Sequence, residues 1–247
     1  MLENFKERYT SRGKHIFVPN AECDRRGDTL LKFAAEIELP HYFFHYRSGG
    51  HVAALHEHRT NRYFFRIDLK NFFYSISRNR VAHMLRQLGF HSARDYAAWS
   101  TVRNPYEGGP KYVLPIGFKQ SPLLASLALW RSAIASSIEE AMDRGVLVSV
   151  YFDDLIGSAA DAHELRITYQ GILEACTQAN LAANPAKLIE PAEAIIAFNC
   201  HLTYGKTSVT DERMQKFMDE ARGPNAEASF IAYCARVQRN NQSVGPS

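Results

Sequence analysis

The chain has 247 residues, of which 46% are hydrophobic and 22% charged, with a formal net charge of +3. Such a chain can build one substantial core or two small domains, and a charge this small means that any nucleic-acid groove must come from local clustering of basic residues. No apolar run is long enough to span a bilayer and no secretory signal opens the chain, so a cytoplasmic protein without a membrane partner is expected. Cys23, Cys176, Cys200 and Cys234 are scattered without Cys-x-x-Cys spacing, which reads as reduced, partly buried thiols.

Residues 1–30 are basic and polar, with Arg25 and Arg26 following a short strand at 15–18 that Pro19 stops. Residues 28–40 predict an amphipathic helix carrying Leu30, Leu31, Ala34, Ala35 and Ile37, ended by Pro40. An aromatic and histidine-rich run comes next, turned by Gly49-Gly50. His51, His56 and His58 follow without the cysteine or distant histidine pair that a zinc site of that kind adds. Residues 63–73 are an apolar strand that ends in a lone carboxylate, Asp68. Val81, Met84, Leu85 and Leu88 recur at helical spacing and Gly89 is a fitting stop. A helical portion near 92–102 precedes a Pro/Gly loop at 104–110.

The loop at 114–122 runs into a helix bearing Leu123, Leu124, Leu127, Ile134 and Ile138. Ser121 suits the N-cap, Pro122 suits the first turn, and Gly117 allows a ligand close to the backbone. Residues 148–156 are two short apolar runs with Asp153-Asp154 between them, read as a hairpin. Asp161 with Glu164 opens a helix whose stripe is Leu165, Tyr169, Ile172, Leu173 and Cys176. Met214, Phe217, Met218 and Ala221 make a further helix, residues 230–237 another, and 239–247 a disordered tail.

Adjacent carboxylates are costly unless a cation neutralises them, and hard divalent ions such as Mg²⁺ prefer oxygen ligands. Two strands ending in carboxylates, far apart in sequence, can lie side by side in a sheet and hold two such ions. The ordered set of Asp68, the 114–122 loop with its helix, and Tyr151-Phe152-Asp153-Asp154 resembles the reverse transcriptase family. In that family's terms these are motif A, motif B and the Tyr-x-Asp-Asp box of motif C. Residues 181–187 look like motif D and residues 197–202 like motif E. The compact form looks most like bacterial reverse transcriptases of the retron, abortive-infection and defence-associated groups. One departure is Ile116, which stands where many members have glutamine.

The resemblance implies an α+β right-hand polymerase fold: fingers at 1–60, a ferredoxin-like palm at 61–205 with a finger insertion near 79–113, and a reduced helical thumb at 206–238. It implies an RNA-directed DNA polymerase with two Mg²⁺ ions (Mn²⁺ as a substitute), held by Asp68, Asp153, Asp154 and the Leu69 carbonyl. Lys187 would protonate or neutralise the leaving pyrophosphate, and Phe73 would exclude a 2′-hydroxyl. Arg25 or Arg26 would meet the triphosphate, while Lys119, Gln120 and Ser121 would touch the template and nucleotide. Tyr151, Phe152, Asn199 and His201 would meet primer and template. The implied partners are dNTPs, a DNA product and a structured non-coding RNA template, with a protein partner or second copy supplying what the thumb lacks. The implied setting is antiphage defence. Template-independent or protein-primed synthesis is one alternative, and an RNA-binding scaffold with little polymerase activity is another.

Overall fold

The computed structural model describes residues 3–220 and 222–242. In chain order the elements begin with β1 (Phe5–Ser11), β2 (Lys14–Pro19), α1 (Ala21–Ala34), α2 (Gly50–His58) and β3 (Tyr63–Asp68). Next come α3 (Phe72–Ser75), α4 (Arg78–Gln87), α5 (Ala93–Trp99), β4 (Val102–Arg103), β5 (Tyr112–Val113), α6 (Ser121–Trp130) and α7 (Ala133–Asp143). The hairpin strands β6 (Leu147–Tyr151) and β7 (Asp154–Ala159) precede α8 (Ala162–Gln178). The chain closes with β8 (Ile189–Ala192), β9 (Ala194–Ala197), β10 (Cys200–Thr203), β11 (Lys206–Val209), α9 (Asp211–Met218) and α10 (Pro224–Gln238). The expected α+β class holds. No helix among the described residues is long and apolar enough to cross a membrane.

Two compact units share these elements. The first takes residues 1–40, 69–136 and 175–182. Its strands form two small antiparallel pairs, β1–β2 and β4–β5. Helix α6 is apolar on every side and is buried accordingly, from Leu123 to Leu129. Phe17, Cys23, Tyr74, Val102, Val113 and Phe118 make a second apolar cluster. Helix α1 starts seven residues earlier than the apolar stripe alone suggests, because Asn20 accepts from the Cys23 N–H and so caps it. It also ends sooner, at Ala34 rather than Pro40. The cap of α6 differs as well: Gln120, not Ser121, holds the N-cap position, and Ser121 and Pro122 fill the first turn. Gly117 has φ +111, and a Cβ there would stand 2.2 Å from the Phe17 carbonyl oxygen. The backbone that this glycine admits is therefore that of β2, whose Phe17 N–H donates to the Ile116 oxygen at 2.9 Å.

The second unit takes residues 41–68, 137–174 and 183–247. Its main sheet is antiparallel with strand order β6-β7-β3-β8. Phe64, Phe65, Ile67, Leu155 and Ile156 are fully buried in it. A second meander, β9-β10-β11, packs with Val52, Leu55 and Val237 into one cluster. Asp161 opens α8 as expected, its Oδ1 accepting from the N–H groups of His163 and Glu164. Helix α10 is tied down at its end: Thr207 Oγ1 donates to the Val237 oxygen, and the Gln242 N–H donates to the Gly205 oxygen at 2.9 Å. The tail expected at 239–247 is thus hydrogen-bonded through Gln242, and Ser243–Ser247 and Ala221 lie outside the described residues.

His58 of α2 is fully buried and bridges two strands, 2.7 Å from Ser149 Oγ through Nε2 and 2.7 Å from Ser158 Oγ through Nδ1. Burial lowers its pKa from 6.5 to about 3. The folded value lies below the unfolded one, so this histidine's stabilisation is complete above pH 6.5 and is lost as pH falls toward 3. Urea unfolding measured at several pH values should show stability falling by about 1.4 kcal/mol per pH unit from this one proton. In His58→Gln that component should vanish, and an unchanged acid slope would refute the assignment.

Candidate active site

The site grows from the pairing of β3 with β7. Their register sets Asp68 directly opposite Asp154, with Ile67 opposite Leu155. Strand β6 pairs Tyr151 with Asp154 on the other side. Only Phe152 and Asp153 separate these strands, and Phe152 takes φ 56 to close the turn. Asp153 therefore lies in the turn, whereas Asp154 belongs to the sheet. Asp68 is 3% exposed and its main-chain oxygen accepts from the Asn184 N–H at 2.8 Å.

Each sheet carboxylate already carries a side-chain cation. Lys187 Nζ lies 2.8 Å from Asp68 Oδ2, and Asn184 Nδ2 donates to Asp68 Oδ1 at 3.0 Å. Arg66 grips Asp154 Oδ1 through Nε at 2.8 Å and Nη2 at 2.6 Å. Residues two apart on a strand share a face, which is why Arg66 reaches the same side as Asp68 and meets Asp154 diagonally. Burial raises the pKa of Asp154; Arg66 opposes the rise, and the charges of Asp153 and Asp68 add to it. These carboxylates are thus close enough to repel one another. Among the described residues, no three His, Cys, Asp or Glu side chains stand assembled around a common point for an ion.

His45 supports the turn from behind. Its Nδ1 accepts from the Phe152 N–H at 3.3 Å, and its ring lies 4.3 Å from that of Phe152. Burial lowers its pKa to about 4, against a hydrogen bond with the Val150 backbone. It is the neutral ring that accepts the amide. Tyr151 sits between aromatic neighbours, 5.7 Å from His51 and 5.3 Å from Phe198. Phe198 and Asn199, both at positive φ, form the turn of the β9–β10 hairpin. His201 is exposed on β10 opposite Ile196 and Ser208.

Beside Asp154 opens a cavity of about 770 Å³. Arg66, Tyr151 and Asn199 line it, together with Arg213, Phe217 and Phe230. Phe217 and Phe230 are stacked with centroids 3.9 Å apart. Guanidinium groups next to flat rings suit a nucleic-acid strand, one taking phosphates and the other bases.

The remaining expected site residues belong to the first unit. Arg25 pairs with Glu22, and Arg26 pairs with Glu22 and Asp95 while lying over Trp99. Lys119 Nζ is 2.9 Å from Asp28 and 3.1 Å from Asp24. Gln120 and Ser121 are buried: Gln120 Nε2 donates to Ser100 Oγ at 3.3 Å, and its Oε1 and the Ser121 Oγ have no partner. Leu69 is buried, and Phe73 is half-buried beside the core ring of Phe72. Sequence reading missed Arg66, Asn184 and His45. The signal for Arg66 was available, a charge inside an apolar strand two residues before a carboxylate; that for His45 was only a histidine among aromatics.

The model of the family "Reverse transcriptase (RNA-dependent DNA polymerase)" matches residues 28–190 of this chain. Several solved structures share the fold at low identity. A foamy viral protease–reverse transcriptase bound to double-stranded DNA gives a TM-score of 0.51 at 16% identity, over 91% of this chain and 34% of that one. Telomerase from Candida albicans with a fragment of telomeric RNA gives 0.52 at 10% identity, over 76% of this chain and 37% of that one. Apo telomerase from Candida tropicalis, truncated from its C-terminal domain, gives 0.55 at 9% identity, over 82% and 53%. The mixed α+β architecture thus resembles the right-hand polymerase fold, and the chain spans from about a third to about half of these solved chains. No curated protein sequence matches it.

Proposed function

The chain belongs to the reverse transcriptase (RNA-dependent DNA polymerase) family, and on that premise we propose that it is an RNA-directed DNA polymerase with Asp68, Asp153 and Asp154 at its centre. The observation that carries this reading is the direct cross-strand pairing of Asp68 with Asp154. We assign the four-stranded sheet to a palm at residues 61–205, residues 1–60 to fingers, and 206–238 to a reduced thumb.

The donor set is all oxygen and its charges repel, which suits a hard divalent ion such as Mg²⁺. Divalent ions bound there would supply Lewis-acid stabilisation of the attacking and leaving oxygens in nucleotidyl transfer. Asp68, Asp153 and Asp154, with the Leu69 carbonyl, are the groups that would hold them. Lys187 and Arg66 keep the carboxylates neutralised and oriented meanwhile. Lys187 Nζ also lies 2.8 Å from Asp68 Oδ2, and we assign Lys187 to neutralising or protonating the departing pyrophosphate. Phe73 would select deoxynucleotides by excluding a 2′-hydroxyl. To the nucleotide we further assign Arg25, Arg26, Lys119, Gln120 and Ser121; to primer and template, Tyr151, Phe152, Asn199 and His201. A bacterial, defence-associated setting with a dedicated structured RNA rests on the motif resemblance alone.

The test is polymerisation by purified protein that retains its co-purifying RNA, with labelled dNTPs and Mg²⁺. Product in the wild type, abolished by RNase and absent in Asp153→Asn/Asp154→Asn, is the expected result. Product that survives RNase would favour untemplated or protein-primed synthesis. No product in any arm would favour a scaffold.

A further inference from the structure

Arg66 serves two neighbours. It is ion-paired with Asp154, and both members of the pair also line the cavity of about 770 Å³. Their side chains keep 19% and 17% of their surface exposed, so a ligand there can reach them. Lys187, the cation on Asp68, does not line that cavity. Three guanidinium groups face the space, those of Arg66, Arg213 and Arg222, and Asp154 is the one carboxylate among its described walls.

The grip on Asp154 is one-sided. Nε and Nη2 both donate to a single oxygen, Oδ1, at 2.8 and 2.6 Å, in place of the two-oxygen fork that arginine makes at full strength. Nη1 donates to the Ile196 oxygen at 3.4 Å, a long bond. The same planar group fits a phosphate as well as a carboxylate. A phosphate that takes Arg66 leaves Asp154 bare beside an anion, an arrangement that a divalent ion relieves. An ion on Asp154 conversely leaves the guanidinium to the phosphate. Each ligand thus lowers the cost of binding the other, and by linkage the effect is mutual.

We propose that Arg66 is a positioning residue that couples strand binding to ion binding. It holds Asp154 in the unliganded protein and exchanges it for a backbone phosphate of the strand in the cavity, which opens the carboxylate to a divalent ion. The inference rests on the reading of Asp68, Asp153 and Asp154 as the ion-holding centre and of the cavity as a nucleic-acid groove.

Two binding measurements, both without dNTPs, test the exchange. Fluorescence anisotropy in EDTA follows a labelled DNA primer annealed to an RNA template. Asp154→Asn, which loosens the hold on Arg66, should tighten binding at least about fivefold. Asp68→Asn removes an equal charge, one held by Lys187, and should change binding by less than about twofold. Electron paramagnetic resonance of free Mn²⁺ gives the ion's affinity for the protein alone, which should rise at least about tenfold in Arg66→Met. An arginine with a merely structural role would leave that affinity unchanged or lower it. Equal tightening in the two aspartate variants, no duplex binding, or Mn²⁺ affinity that does not rise in a folded Arg66→Met would overturn the proposal. Where Arg66→Met fails to fold, the anisotropy comparison decides alone. Neither measurement needs catalysis, so the expected shifts without any polymerisation would refute the polymerase reading and leave the exchange standing.

Discussion

Asp68→Asn is expected to lose at least about 10³-fold in primer extension, equivalent to about 4 kcal/mol of transition-state stabilisation, while staying folded. The asymmetry follows from its surroundings. As a carboxylate Asp68 is almost fully buried, accepts from Lys187 and Asn184, and faces a second carboxylate across the sheet. An amide of the same shape still accepts from Lys187, and Asn184 can turn its own amide to accept in place of donating. What disappears is one negative charge from a group whose members push Asp154 toward its protonated form. Thermal unfolding should therefore move little, within about 1 kcal/mol, since relieved repulsion offsets the weaker bond to Lys187. Extension rates within about tenfold of wild type would move the catalytic centre elsewhere. A large drop in melting temperature would make Asp68 a structural residue first.

The largest effect on stability is expected from Gly117→Ala, about 3–5 kcal/mol. Two costs combine there. The φ of +111 is a conformation that a side chain strains against. The added carbon also meets main-chain atoms, the Phe17 oxygen at 2.2 Å and its carbon at 3.1 Å, which no rotamer change relieves. The loop must withdraw from β2, breaking the 2.9 Å bond from the Phe17 N–H to the Ile116 oxygen and loosening the cluster around the Phe17 ring. Urea denaturation followed by fluorescence reads the change, and an unshifted midpoint would contradict the close approach.

Local features of this fold were legible in the sequence and long-range pairings were not. The hairpin around Asp153 and the Asp161 cap each depend on a few neighbouring residues, and the chain forms both where those residues stand. The ends of α1 and α6 differ from the sequence expectation, each for its own reason. Asn20 caps α1 ahead of a polar first turn that hides the helix from an apolar-periodicity reading. Ser121 has the right chemistry to cap α6 but is buried in its first turn, behind Gln120. The carboxylates were visible as strand ends. Their present counter-charges were not, because Arg66 with Asp154 and Lys187 with Asp68 are joined only by the sheet register and the turn through Asn184.

The interleaving of the two units also sets an order of events during synthesis. Arg66 and Asp154 stand 88 positions apart, and residues 69–136 between them belong to the other unit. A nascent chain therefore completes most of that unit while β3 waits without either neighbour, its Phe64, Phe65 and Ile67 uncovered. Non-local strand pairing of this kind is slow, and bare apolar strands are where half-made chains associate wrongly. Truncated translation products that stop before β7 should be inert and prone to aggregate, and the acidic pair comes into being only when the ribosome has released the β6–β7 hairpin.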